Sequence, residues 1–268
     1  MADAHIVDLE EGWQVIKTKA LDVLEAMIES GVKNEDNFFN PTEYVMTYTK
    51  CYDMCTQREP HSWSIPLYER HGESLRDYLT RVSFEAIVSQ PDNPPRLLLQ
   101  EYVKRWDNHK IMNKWYQKFF MYLDRYHIVH YSLPDLLTSG WTIFKEVIYT
   151  PTKSRMVGNM LEMIRTERTG ESVNRQLLKA MKEVLVKMGM GSMDAYRDDF
   201  EEPLLQMTEE HFKALSQEYI ATYSTSEYLM RAAKCLDEEV SAEKHVRKWC
   251  SLRIHVGCRC AMNYCLCT

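Results

Sequence analysis

Three groups of side chains have types and spacings that could carry chemistry. Cys258 and Cys260, followed by Cys265 and Cys267, bring four thiols together, and four thiolates can close a tetrahedral zinc site. One residue rather than the usual two separates the members of each pair, and only residues 261–264 separate the pairs. A divergent tail without metal is therefore the expectation. His127 and His130 stand three apart and would share a helical face. No Glu-x-x-His pattern or third ligand accompanies them, so they read as packing or surface residues. The paired acids Asp198-Asp199 and Glu201-Glu202 have the pattern of a solvated helix face. No Gly-x-Ser-x-Gly elbow and no GxxxxGK[ST] loop occurs, and Gly189-x-Gly191 lacks both the lysine and the preceding strand. With no nucleophile, base and oxyanion set converging, no catalytic residues and no cofactor are expected.

The aromatic residues are more informative. The chain has 16 tyrosines, and Tyr44, Tyr48 and Tyr52 fall at i, i+4 and i+8, which aligns them along one side of a helix. A second line runs through Met112, Trp115, Phe119 and Tyr122. Such rows suit either a core stripe or an exposed binding ridge. Tyrosine couples a large rigid contact area to a polar tip, which suits it to interface hot spots. The residues alone leave the two readings open.

The elements that must position these rows are helices. Nine glycines and nine prolines in 268 residues are too few for a sheet protein with frequent turns. Leu9, Trp13, Ile16, Ala20, Leu24, Met27 and Ile28 recur at steps of three and four, and Gly31 stands where a helix often ends. Pro41 opens a second helix, where its missing N–H costs nothing. Leu75, Leu79, Val82 and Ala86 mark a third, stopped by the turn-rich run from Gln90 to Pro95. The pattern predicts a fourth from about Arg96 towards Trp106 and a fifth through Met112, Trp115, Phe119, Tyr122 and Tyr126.

Beyond Pro134 the style repeats. An apolar face of Ile143, Phe144, Val147 and Ile148 is expected to end before Pro151, and Met156 to Ile164 to close at Gly170. A stripe from Val173 to Met188 stops at Gly189-Met190-Gly191. One helix holds Phe212, Leu215 and Tyr219, and a last one, capped by Thr225 or Ser226, carries Leu229, Ala232 and Leu236. About ten helices with short links suggest stacked helical hairpins, an α-solenoid. Cys51, Cys55 and Cys235 fall on helices and read as small buried apolar groups. From Val246 to Thr268 the composition changes, with five of the eight cysteines, four basic residues and no acid.

Charge and hydropathy narrow the function class. A net charge of −6 with acids and bases interspersed argues against a nucleic-acid-binding surface, which needs a basic excess. No run approaches the roughly 18–20 apolar residues of a membrane span, and the first residues lack a secretory pattern. The expectation is a soluble protein of the cytoplasm and nucleus.

Several segments resemble the cullin family. Tyr48-Thr49-Lys50-Cys51-Tyr52-Asp53-Met54-Cys55-Thr56 looks like the helix near the start of cullins. Trp106-Asp107-Asn108-His109-Lys110, continuing to Phe120-Met121-Tyr122-Leu123-Asp124-Arg125-Tyr126, resembles a second cullin segment. Glu167-Arg168-Thr169-Gly170-Glu171, Met188-Gly189-Met190-Gly191 with Tyr196 and Asp199-Phe200-Glu201, and Glu227-Tyr228-Leu229 follow in the family's order. The match runs from about Leu9 to His245 and is nearest to plant members of the cullin 1 group.

The resemblance implies an all-α fold of tandem cullin repeats, stacked five-helix bundles forming an elongated α-solenoid stalk. A first repeat would cover 8–132, most of a second 133–245, and a divergent cysteine-rich basic tail 246–268. It also implies a non-catalytic scaffold of an SCF-type ubiquitin ligase. The partner would be the F-box adaptor protein and, through it, F-box substrate receptors. By position, the second and fifth helices would dock the adaptor through Tyr44, Val45, Tyr48, Tyr52, Met112, Trp115, Phe119 and Tyr122. After His245 the sequence departs from the family, and the region that recruits the RING subunit is not found, so no RING partner is expected. Two other readings stand beside this one, a helical remnant or competitive short form without ligase activity, and a zinc-binding interaction protein built on the terminal cysteines.

Overall fold

The structure is a computed structural model and describes residues 6–32, 38–58 and 60–246, with 236–246 as helical backbone. The cysteine-rich tail beyond Val246, with Cys258, Cys260, Cys265 and Cys267, lies outside the described residues.

Among the described residues there are nine helices and no strand: α1 (9–29), α2 (Pro41–Thr56), α3 (64–88), α4 (Pro95–Phe119), α5 (121–131), α6 (136–168), α7 (Arg175–Met188), α8 (194–222) and α9 (Thr225–Val246). Local chemistry sets most of their ends. Asp8 accepts from the Glu10 N–H at 2.9 Å to start α1. Asn40 and Glu43 exchange side-chain and backbone hydrogen bonds at 2.9 and 3.0 Å, a capping box completed by Pro41. Asp135 accepts from Thr138 N–H to open α6, and Asn174 from Leu177 N–H to open α7. Gly31 (φ 77°) and Gly170 (φ 93°) end α1 and α6 in the left-handed region, where a Cβ would be strained.

Three helix boundaries differ from the sequence pattern. The expected fourth and fifth helices are one 25-residue helix, α4. Trp106, His109, Met112, Asn113 and Tyr116 continue its buried stripe without interruption, and the break comes at Phe120 (φ −98°, ψ 21°). Pro151 does not stop α6. Lys145–Tyr149, ending one residue before the Thr150-Pro151 pair, form a wide π-turn, which relieves the clash a proline ring meets with the carbonyl four residues back. Thr150 Oγ1 bridges that turn to Lys145 O at 2.8 Å. The same arrangement, the π-turn Arg197–Glu201 followed by Pro203, lies in α8. The α9 cap is Ser224 rather than Thr225 or Ser226. Its hydroxyl accepts from Glu227 N–H, and the Glu227 carboxylate accepts from Ser224 N–H and Oγ.

The chain divides into two compact units, Met1–Asn159 and Met160–Thr268. The division falls inside α6, so residues 136–159 of that helix join the region expected as the first repeat, 8–132. In the first unit α4 is the axis. Leu98, Leu99, Tyr102, Met112, Tyr116 and Phe119 are all buried. Where α6 crosses α4, Gly140 approaches so closely that a Cβ would lie 2.0 Å from Asn113 Oδ1. Asn113 Nδ2 donates to Leu137 O at 3.0 Å, and His109 Nε2–H donates to Gly140 O at 3.1 Å. Trp106, Trp141 and Phe144 pack around this crossing with centroids 5.0–5.1 Å apart. Where α1 ends beside α4, Arg105 donates to both Glu29 oxygens at 2.8 Å and to Glu101 at 2.7 Å, while Tyr78 O–H donates to Glu29. Burial disfavours the Glu29 carboxylate, but the hydrogen bonds from Arg105 and Tyr78 outweigh it and hold the carboxyl below its ordinary range.

In the second unit Leu177, Met181, Val184, Leu185 and Met188 form the buried face of α7, with Phe200, Leu204 and Phe212 from α8. Ser216 Oγ and Tyr228 O–H lie 3.0 Å apart between α8 and α9. Glu201, expected on a solvated face, is buried. Cys235 is half-buried, its sulfur 3.6 Å from Tyr219 O–H.

Two predictions follow from these buried polar groups. Replacing the buried Arg105 with Leu removes its charged hydrogen bonds to the more exposed Glu29, so urea denaturation should show a loss of about 1–3 kcal/mol. An unchanged midpoint would mean the pair contributes nothing. His71 and His109 are buried, and burial pushes their imidazoles down to about 4 and about 3. Below an unfolded value near 6.5 the unfolded chain takes up protons that the folded chain refuses, so stability falls as pH falls through that window. Between about pH 7.5 and 5 each imidazole should remove about 2 kcal/mol. The drop should be smaller in His71→Leu, and a flat profile in wild type would contradict neutral burial.

Candidate protein-docking surface

The α2 helix buries Thr47, Cys51, Met54 and Cys55 and leaves its tyrosines on the flank of that stripe. Its C-terminal end is fixed from three sides. Trp63 N–H donates to Met54 O at 3.0 Å, Ser62 Oγ donates to Cys55 O at 3.1 Å, and Gln57 holds Val7 through both backbone groups. Gly12 of α1 lies against Met54 so closely that a Cβ would sit 2.3 Å from the sulfur. The hydrogen bond with Cys55 and burial push the Cys51 thiol well up, so it serves as a small core group, as expected.

Tyr44 and Tyr48 are half-buried, and Tyr52 is 43% and Val45 54% exposed. The Tyr44–Tyr48 and Tyr48–Tyr52 rings stack with centroids 6.4 and 6.5 Å apart. Tyr52 meets Tyr122 of α5 edge to face at 5.2 Å, and Tyr122 continues to Tyr126 at 4.7 Å. Five tyrosines from two helices thus form one continuous ridge. Burial raises the Tyr44 phenol, Tyr48 adds to the effect and Arg125 opposes it. Burial also raises Tyr122.

The second expected row divides. Tyr122 is half-buried on the ridge, whereas Met112, Trp115 and Phe119 are buried and lie on α4, not on a fifth helix. They face inward because α4 continues to Phe119 and its inner stripe is covered by α2 and the segment before it. Phe39 packs on Trp115 at 5.0 Å and on Phe119 at 5.1 Å, and Phe119 reaches Tyr44 at 6.5 Å. These three are the foundation of the ridge rather than its surface. Sequence reasoning left out Tyr126, which is 59% exposed; its spacing of four from Tyr122 was the available signal. Met46 and Val129 are also exposed.

His127 packs between Tyr68 and Tyr131, and His130 is exposed. No group of three or more His, Cys, Asp or Glu side chains that could hold a metal is found among the described residues. No described helix is long and apolar enough to cross a membrane. The arrangement offers recognition: a rigid aromatic surface with hydroxyl tips, on two helices locked to one core.

Comparison with known proteins places this surface in a family context. Residues 21–250 match the cullin alpha solenoid domain. Cullin-1 of Oryza sativa subsp. japonica is 39% identical over 205 residues, 75% of this chain and 26% of its own. Two cullin-like proteins of Arabidopsis thaliana are 34% and 33% identical, over 88% and 91% of this chain and 32% and 64% of their own. The chain therefore spans less than two thirds of the length of each of these relatives.

Foundation and surface should separate in a stability experiment. Phe119→Ala should lower stability by about 3–5 kcal/mol, while Tyr52→Ala should change it by less than about 1 kcal/mol. Thermal melts of both variants check this, and equal losses would place Tyr52 in the core.

Proposed function

The chain belongs to the cullin family, and from that premise we propose that it is a non-catalytic scaffold that docks the F-box adaptor of an SCF-type ubiquitin ligase. The observation that carries this reading is the exposed tyrosine ridge of α2, continued by Tyr122 and Tyr126 on α5. A pre-stacked row of phenol rings needs little ordering on binding and supplies both apolar area and hydrogen-bond tips. Tyr44, Val45, Tyr48, Tyr52 and Tyr122 make the contact in this reading. Met112, Trp115 and Phe119 act beneath them by holding the two helices in place. F-box receptors would join through the adaptor, in the cytoplasm and nucleus, and the chain itself performs no chemical step.

The partial exposure of Tyr44, Tyr48 and Tyr52 favours docking over a helical remnant, in which the same rings would turn inward. The test is binding of purified F-box adaptor to the wild-type chain and to a Tyr44→Ala/Tyr48→Ala double variant, each verified as helical by circular dichroism. Hot-spot truncation of about 2 kcal/mol or more predicts at least a 30-fold loss of affinity, roughly, in the variant. A folded wild-type chain that binds no F-box adaptor rules the reading out.

A further inference from the structure

We propose that the tyrosine ridge is built for an acidic partner surface, its carboxylates met by Lys118 and Arg125 at the corner between α4 and α5. This rests on the adaptor-docking reading of the same ridge and specifies the chemistry of the docked face.

In the first unit most guanidinium groups are matched: Arg70 with Glu10, Arg76 with Glu146, Arg81 with Glu25, Arg105 with Glu29 and Arg155 with Asp92. Beside the ridge the pattern changes. Arg125 is exposed and has no ion pair among the described residues. It lies close enough to Tyr44 for its charge to favour the phenolate. Lys118 sits 4.0 Å above the Trp115 ring rather than on a carboxylate, and the neighbouring Phe119 touches Tyr44.

Two nearby carboxylates are held in place by neutral donors of their own unit and keep their charge. Asp124 accepts from Gln117 Nε2 and from Leu136 N–H, and Glu43 is held in the capping box of α2. On α2, Asp53 stands about 140° around the helix from Tyr48 and about 100° from Tyr52, and Lys50 about 160° from Tyr48. On α4, Lys118 is half-buried against the Trp115 ring, and Lys110, two turns earlier, pairs with Asp107. The ridge therefore has an aromatic centre with a cationic margin on its α4–α5 side.

Such a margin chiefly steers encounter, because exposed charges act over about 8 Å at physiological salt. The chain as a whole carries −6, so a general polyanion would be repelled. A protein face with a few carboxylates around an apolar pocket satisfies both facts.

The experiment measures association and dissociation rates of the F-box adaptor at about 50 and 300 mM NaCl. For wild type the association rate should fall about tenfold with salt, while dissociation changes less than about threefold. Lys118→Gln/Arg125→Gln should lower the low-salt association rate about fivefold and flatten its salt dependence. Lys17→Glu/Lys19→Glu, on the exposed side of α1, is the control and should leave the rate within about twofold. Melting curves of each variant verify the fold. If the glutamine variant keeps the wild-type rate and salt dependence while Tyr44→Ala/Tyr48→Ala still weakens binding, the acidic partner is refuted and the docking surface stands. If the folded wild type does not bind, both readings fall.

Discussion

The first unit depends on burying one long helix from several sides at once. At about 1.5 Å per residue, α4 is about 37 Å long, and its inner residues from Leu98 to Phe119 are covered by neighbours on different faces. Apolar packing provides the driving force but has little directionality. Orientation comes from a few polar contacts at the crossings: Arg105 reaching Glu29 at the end of α1, and His109 and Asn113 reaching the carbonyls of Gly140 and Leu137 in α6. Each would be costly to leave unsatisfied in a dry interior, so each specifies one position of its helix. The absence of a side chain at Gly140 lets α6 come close enough for these bonds to form.

The docking surface follows from that burial. α2 is held to α1 at Gly12 and Met54, to the residue before α1 by Gln57 and Val7, and to the segment after it by Trp63. Phe39, Trp115 and Phe119 fill the space beneath. Once this layer is filled, Tyr44, Tyr48 and Tyr52 have no room inside and must stack on one another at the margin. Their hydroxyls make that margin tolerable, since a phenol can bury its ring against a neighbour while its tip stays wet. A row of phenylalanines in the same place would expose a larger unsatisfied apolar patch.

Much of this was legible in the residues. The periodicity located most of the helices, Pro41 marked the start of α2, and the i, i+4, i+8 tyrosines lie on one side as expected. The fate of the second aromatic row was not legible. Met112, Trp115, Phe119 and Tyr122 share a periodic pattern, but burial depends on what lies opposite each one. Phe39, which covers Trp115 and Phe119, is more than 70 residues away in the chain. Pro151 misled for a related reason. Proline breaks an α-helix locally, and only the wide turn before it, set by packing of Ile148 and Tyr149 into the core, lets α6 continue. Glu201 was judged by its acidic neighbours, whereas its position on α8 places it inside.

The division between foundation and ridge also separates two kinds of recognition. Affinity for an apolar partner grows with rigid, desolvated rings, and the α4 core supplies that rigidity without appearing on the surface. Charge works differently, because an exposed cation contributes little to affinity in water but acts at a distance on encounter. Five other arginines of the first unit are drawn into ion pairs within it, as Arg155 is with Asp92 while it also reaches the carbonyls ending α3. Arg125 has no such pair among the described residues, because the carboxylate beside it on α5, Asp124, accepts from Gln117 Nε2 and from Leu136 N–H instead. A residue left out of the internal charge pairing next to a stacked aromatic surface is available to a partner. The burial that makes α4 the axis of the unit thus also decides which side chains remain free to be read from outside.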